Sequence, residues 1–181
     1  MTKFRLAVLN TQPPQLYFGG VERRIIEVTH RLQSEADITV YSATKAGFKT
    51  PITIDGVNFV PAKSTDRLFP LDNWTYNRSI IKNSAIYEAD VFEVHNNSAY
   101  GLPEALQKRG IKKPILHLIH GTLADEYEQG KKGAQTLRSK LANTIMKYQA
   151  KQEKTIAQNA TIIATISRYS QAKILQHYAI G

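Results

Sequence analysis

Between Phe4 and Ser42 the hydropathy pattern changes period twice, and this constrains the fold more than any other feature of the chain. Phe4 to Asn10 is an apolar run with a polar stop, Thr11 to Gly20 carries Pro13, Pro14, Gly19 and Gly20, and from Val21 the apolar positions Val21, Ile25, Ile26, Val28 and Leu32 take helical spacing. A short apolar run bounded by turn formers reads as a buried strand, and proline with glycine marks the loop after it. Asp37 to Ser42 (Asp-Ile-Thr-Val-Tyr-Ser) is β-rich again. Strand, glycine loop, helix and strand make a βαβ unit, which requires parallel pairing and a right-handed crossover.

The alternation continues along the chain. Residues 52–55 and 57–60 flank Gly56, and Asp55-Gly56 is a strong signal for a tight hairpin turn. The pattern then predicts a helix over 77–88, a strand over 91–94 ending at His95, a helix over 102–108 stopped by Gly110, and a strand over 114–119 ending at His120 and Gly121. Thr122 to Gly133 reads as a charged, glycine-bearing loop. Leu137, Leu141, Ile145, Tyr148 and Ile156 predict one long helix over 135–158, followed by a strand over 160–166 ending at Ser167 and a helix over 170–178 before Gly181. The expectation is an α/β fold, a Rossmann-like open and mostly parallel sheet with helices on both faces. With 181 residues, 42% of them hydrophobic, and neither a low-complexity tract nor an internal repeat, the chain is expected to form a single domain over 1–181.

Cysteine is absent, which excludes a disulfide framework, a thiolate metal site and a cysteine nucleophile. The first apolar run is too brief for a signal peptide, and no later run reaches the ~20 residues of a membrane span, so a cytoplasmic protein is expected. Asn-x-Ser/Thr triplets begin at Asn73, Asn77, Asn96 and Asn159, and without a secretory signal they carry no argument. The net charge of +9 predicts contact with something anionic: nucleic acid, an acidic membrane surface or a phosphorylated substrate. No recognisable nucleic-acid motif accompanies the charge, and no nucleic-acid partner is expected.

Ligands of an open parallel sheet bind beyond the carboxyl ends of its strands. Here those ends are 12–20, 95–100, 120–122 and 167–169. Gly19 and Gly20, opening a helix, let backbone N–H groups approach a phosphate or a sugar with no Cβ in the way. The dyad is neither a Walker loop nor a dinucleotide fingerprint, and a plain tight turn also accounts for it. His120 closes an apolar strand, which makes its imidazole a candidate donor to sugar or phosphate oxygens, the alternative being a satisfied structural histidine. His95 is a candidate of the same kind, whereas His117, inside its strand, reads as structural. Asp125, Glu126 and Glu128 read as a solvated loop surface rather than an acid–base pair. Lys131, Lys132, Arg138, Lys140, Lys147, Lys151 and Lys154 stand against one nearby acid, Glu153. Such a stripe over 131–154 suits an anionic membrane surface, at about 1 kcal/mol per basic residue, or the solvated outer face of a helix.

Taken in order, Gly19-Gly20-Val21-Glu22-Arg23 opening a helix that leads to Ile38–Ser42, His120-Gly121 at a strand end, and Ile162–Ser167 near the finish resemble the N-terminal domain of glycosyltransferase family 4. The resemblance spans essentially the whole chain and implies the N-terminal half of a GT-B architecture. It implies transfer of a sugar from a nucleotide-sugar donor to an acceptor (a glycan, a lipid-linked or a small molecule), with retention at the anomeric carbon. It implies no metal and no cofactor, the nucleotide-sugar being a substrate. The domain would chiefly hold the acceptor, the donor nucleotide would be held by a C-terminal domain that has no counterpart here, and the chain alone would be inactive. Gly19 and Gly20 would lie against the donor phosphates or the acceptor, and His120 would act at the donor sugar near the reacting centre. Glu22 and Arg23 are carried over with them, and the strand-end residues His95, Asn96, Gly121 and Ser167 complete the substrate- and phosphate-binding set. Glu27 and Glu35 repeat the spacing of a glutamate pair found in many glycosyltransferases, but on the first helix, where the match is accidental. Two other readings remain on the same fold: a non-catalytic sugar- or phosphate-binding module, and a basic membrane-associated interaction domain. Tyr17, Phe18, Phe69 and Trp74 suit stacking on a sugar ring or holding a lipid, or else a place in the core.

Overall fold

The computed structural model describes residues 2–66, 71–133 and 136–180. The first unit forms as β1 (Phe4–Leu9), α1 (Gly20–Leu32) and β2 (Ala36–Ala43), with β1 and β2 parallel and Leu6 opposite Ile38. β3 (Ile52–Ile54) and β4 (Val57–Ala62) make the hairpin, and Asp55 and Gly56 both take positive φ, 49° and 75°, as a mirror-image two-residue turn requires. α2 (Leu71–Lys82), β5 (Val91–His95), α3 (Leu102–Lys108), β6 (Ile115–Ile119), α4 (Leu123–Gly133), α5 (Leu137–Asn159), β7 (Ile162–Thr165) and α6 (Arg168–Tyr178) follow.

The strands lie in the order β3-β4-β2-β1-β5-β6-β7, and every pairing except β3 with β4 is parallel. The chain builds outward from β1 on one side and then returns to build from β5 on the other. Loops leaving these two neighbouring strands part toward opposite faces, which opens a crevice at their carboxyl ends. Alternation divides β1 between two cores. Leu6 and Val8 pack with Ile25 of α1, Val40 and Phe59 on one face. Ala7 and Leu9 pack with Tyr76 of α2, Leu102 of α3 and Ile156 of α5 on the other. The architecture is therefore the Rossmann-like sheet with helices on both faces. Among the described residues no helix is long and apolar enough to cross a membrane.

Three elements depart from the sequence expectation. The helix predicted over 77–88 starts at Leu71 and stops at Lys82, because the Asn83 side chain accepts from the Ala85 N–H at 3.1 Å and starts a separate 3₁₀ turn, Ser84–Glu88. The stretch 122–133, expected as a loop, is α4. Leu123, Ala124, Glu126 and Gln129 favour helix and outweigh glycines at 130 and 133 near its end, and the Thr122 carbonyl accepts from the Asp125 and Glu126 N–H groups to start it. α5 has the predicted length, but only its second half is core. Ala150, Gln152, Glu153, Ile156 and Ala157 are buried, whereas Leu137, Leu141 and Tyr148 are 88%, 63% and 58% exposed. A helical apolar seam marks a face without naming what covers it. Gln135, Phe69 and Gly181, which the sequence reading placed in the long helix, among the aromatic loop residues and at the finish, lie outside the described residues.

α4, α5 and α6 meet at one carboxyl. Glu153 is fully buried, its Oε2 accepts from the Tyr178 hydroxyl and the Leu123 N–H, and its Oε1 has no protein partner. Burial pushes its pKa up to about 7 against the two hydrogen bonds, which lower it. Burial, with the Glu153 charge, also raises the Tyr178 hydroxyl far above its ordinary value. Unfolded glutamate ionises near 4.5, so between pH 4.5 and about 7 the folded state holds a proton that the unfolded state has lost, and stability falls as pH rises through that window. Glu153→Gln removes this dependence. Relative to the parent, its unfolding free energy in urea is expected to gain about 3 kcal/mol on going from acid to neutral pH. Denaturation curves for both proteins at the two ends of the window measure that difference.

Candidate active site

β5 reads Val91-Phe-Glu-Val-His, and its alternation buries Phe92 and Val94 in one core while Glu93 and His95 face α1. A buried carboxylate is costly unless paired. Glu93 Oε1 accepts from Arg24 Nη1 of α1 at 2.9 Å and lies 2.9 Å from His95 Nε2. Burial works to raise the Glu93 pKa, but the bonds from His95 and Arg24 outweigh it and hold the carboxyl below the ordinary glutamate value. Ionised Glu93 therefore keeps a proton on His95 Nε2. On the other side of that ring, His95 Nδ1 lies 3.0 Å from His120 Nε2, with the two ring planes within 9° of parallel.

His120 is held through its backbone as well. Its N–H donates to Asn96 Oδ1 at 3.0 Å, and Asn96, left-handed at φ 48°, accepts from His117 Nε2 through its carbonyl at 2.7 Å. Asn96 thus clips the end of β5 to β6, and His117 is the structural histidine expected of it. Burial, then the neighbouring charges of His95 and Arg24, push the His120 pKa down to about 4, and burial takes His117 to about 4 as well. Both rings are neutral near pH 7. The Arg24, Glu93, His95 and His120 chain has one open end, His120 Nδ1. A proton received there lets Nε2 pass its own to His95 Nδ1, where the resulting imidazolium is paired with Glu93; run backwards, the same chain donates.

The remaining candidates surround this chain. Gly19 caps α1 and Gly20 begins it, and a Cβ at Gly19 would collide with Glu22 Oε2, because the Glu22 side chain folds back over the helix end. Glu22 Oε1 also accepts from Asn10 Nδ2, beyond β1, at 3.4 Å. The N-terminal turn of α1 thus already faces a carboxylate, a favourable partner for its dipole. Gly121 lies under Glu126, whose Oε1 would be 2.7 Å from an added Cβ. Thr11 Oγ1 meets Ser98 Oγ and Asn73 Oδ1, each at 3.0 Å, which ties the loops after β1 and β5 to α2. Gly19, Gly20, Glu22, His95, Asn96, His120 and Gly121 therefore stand along one edge of the sheet, at the carboxyl ends of β5 and β6 and at the start of α1 that follows β1. Arg23 is exposed beside it, while Ser167 caps α6 from a strand further out, accepting from the Ser170 N–H at 3.1 Å.

Asp125 corrects the reading of 125–128 as solvated surface. It is buried, and it accepts from Lys173 at 2.9 Å, the Tyr169 hydroxyl at 2.7 Å and Gln129 at 2.8 Å; the Lys173 and Tyr169 bonds hold its carboxyl below the usual range. Glu27 is exposed beside Arg31, 3.6 Å away on the same helix. Among the described residues there is no group of three His, Cys, Asp or Glu placed to hold a metal ion.

A family model described as Glycosyltransferase Family 4 matches residues 18–181. The chain belongs to glycosyltransferase family 4. This family 4 domain is similar in structure to sucrose-phosphate synthase from Thermosynechococcus elongatus, with a TM-score of 0.77 and 11% identity, over 99% of this chain and 46% of that one. A second structure of that synthase matches with a TM-score of 0.61 and 11% identity, over 94% of this chain and 80% of the other. The family 4 domain thus shares the fold of GT-B glycosyltransferases and spans about half the length of the first structure it matches. No curated protein sequence matches it.

Sequence reading of the family 4 domain missed Arg24 and Glu93. The available signal was a glutamate two residues before a histidine in an otherwise apolar strand, since period two puts both on one side. Ring nitrogen NMR tests the resulting electrostatics. His117 and His120 are expected to stay neutral as pH falls until about 4, and the stability they contribute is complete above 6.5 and lost as pH drops toward that value. A His120 midpoint near 6.5, the ordinary value, would show that the ring is not held as described.

Proposed function

We propose that this domain is the acceptor-binding half of a retaining glycosyltransferase, with the nucleotide of a nucleotide-sugar donor held by a second domain. The observation that carries the reading is the Arg24, Glu93, His95 and His120 chain at the carboxyl ends of β5 and β6 of a family 4 domain, with His120 Nδ1 as its free end. In the transfer, the bond from the anomeric carbon to the leaving diphosphate breaks, a bond to the acceptor oxygen forms, and the acceptor's proton leaves with the departing phosphate. The sugar is oxocarbenium-like on the way. Such a reaction needs pre-organised hydrogen-bonding groups more than a strong base.

His120 suits that requirement through its neutrality. A cationic ring beside a sugar gaining positive charge would oppose the reaction, and burial together with the nearby Arg24 guanidinium keeps the ring uncharged. Its Nδ1 then meets a sugar hydroxyl, as donor or acceptor according to where the proton of the relay rests. The Glu22 carboxylate over Gly19 favours acceptor hydroxyls at the start of α1 and disfavours a donor phosphate there. The reaction uses no metal and no cofactor, the nucleotide-sugar being the substrate.

In an enzyme carrying this domain, His120→Ala is expected to lower kcat/KM on the order of 10²- to 10³-fold, the scale of losing one pre-organised polar contact in a transition state. The transferred sugar is expected to keep its anomeric configuration, read by NMR of the first product formed. By calorimetry the chain alone should bind nucleotide-sugars weakly. Tight, specific nucleotide-sugar binding by these residues alone would overturn the division of labour, and an unchanged kcat/KM in His120→Ala would remove the ring from the site.

A further inference from the structure

The first half of α5 presents an apolar stripe to solvent. Leu137, Leu141, Ile145 and Tyr148 recur every three to four residues along one side, and all but Ile145 are largely exposed. Beyond Tyr148 the stripe meets α2 across a groove of about 290 Å³ lined by Leu71, Trp74, Ile145, Tyr148, Asn73 and Gln152. Leu71 and Trp74 are themselves about half exposed.

The charge around this stripe has one sign. α5 carries Arg138, Lys140, Lys147, Lys151 and Lys154, and its single acid, Glu153, is fully buried, so every charged group the helix shows is cationic. Among the described residues none of the five cations is within ion-pair distance of a carboxylate. Lys140, Lys147, Lys151 and Lys154 line one flank of the stripe at helical spacing, and Arg78 sits 5.7 Å over the Trp74 ring. We propose that the face formed by the first half of α5 and the start of α2 docks on an anionic lipid bilayer, with the stripe at the acyl boundary and the lysines at the headgroup phosphates.

The other occupants fit less of what is seen. A nucleic acid would meet the cations and leave the stripe bare. A second copy would cover the stripe and bring two cationic helices together. The docked face also adjoins the crevice: Asn73 accepts from Thr11 Oγ1, and Gln152 Oε1 accepts from Asn97 Nδ2, so the groove ends against the loops leaving β1 and β5. An acceptor anchored in the same leaflet would therefore reach the crevice from the groove. That consequence rests on the transferase reading, whereas the docking does not.

Trp74 is the single tryptophan of the chain and reports on this face directly. Added to vesicles of phosphatidylglycerol and phosphatidylcholine, the chain is expected to show a blue-shifted Trp74 emission quenched by nitroxide-labelled acyl chains. The response should weaken with salt and be at least about tenfold weaker with phosphatidylcholine alone. Lys140→Glu, Lys147→Glu and Lys151→Glu together should lower partitioning on the order of a hundredfold, from about fivefold or more per lysine. Leu137→Ser with Leu141→Ser should lower it on the order of tenfold or more while salt sensitivity persists. All five side chains are exposed, and unchanged circular dichroism and thermal midpoint confirm that the variants fold. No vesicle binding, binding that leaves Trp74 unquenched, or a lipid-free blue shift with a dimer in sedimentation would each overturn the proposal. So would equally tight binding to a single-stranded oligonucleotide. None of these readouts involves sugar transfer, so a failure here leaves the transferase reading standing, and a failure of transfer leaves the docking standing.

Discussion

The candidate site depends on one carboxylate buried in the middle of a strand. Burying an ionised group costs several kcal/mol unless its lone pairs are taken, and Glu93 is satisfied from two sides, by Arg24 and by His95. The Arg24 bond ties α1 to the sheet, which fixes where Gly19 and Gly20 stand relative to β5. The His95 bond sets which nitrogen carries the proton, and through it the state of His120. Losing Arg24 leaves the buried charge without its cation, and such breaks cost about 3–5 kcal/mol. The group that organises the site is therefore also part of what holds the first helix down, and activity and stability are coupled at this position.

Much of the fold was legible because period carries through. The change from strand to helix spacing between Phe4 and Leu32, the Asp55-Gly56 turn and the Gly110 stop are local effects of backbone geometry, and the structure realises each of them. The misreadings have tertiary causes. The local helix formers of 123–133 are held in place by tertiary contacts, since Glu153, far along the chain, accepts the Leu123 N–H and Asp125 finds Lys173 and Tyr169, neither of which the local sequence announces. The seam of α5 was visible as a pattern, but its solvent exposure over Leu137 to Tyr148 depends on how far the helix runs past the sheet.

The candidate site was half legible on the same grounds. Strand-end residues follow from the sheet topology, so His95, His120 and the Gly19-Gly20 dyad were reachable from sequence. Arg24 and Glu93 were not singled out, because a charged residue inside a helix or strand acquires its meaning only from what lies opposite. The distinction between Arg23, which points to solvent, and Arg24, which reaches Glu93, is one step of helical phase. Glu22 shows the converse. It sat in a motif that suggested ligand contact, and it closes over Gly19 and meets Asn10 within the protein.

His95 and His120 share a hydrogen bond that ionised Glu93 orients. A nitrogen–nitrogen coupling across that bond, measured by NMR on uniformly labelled protein, tests it most directly. A resolved coupling between His95 Nδ1 and His120 Nε2 is expected near neutral pH, lost or reduced in Glu93→Gln. No coupling in the parent, with the two rings titrating independently, would contradict it.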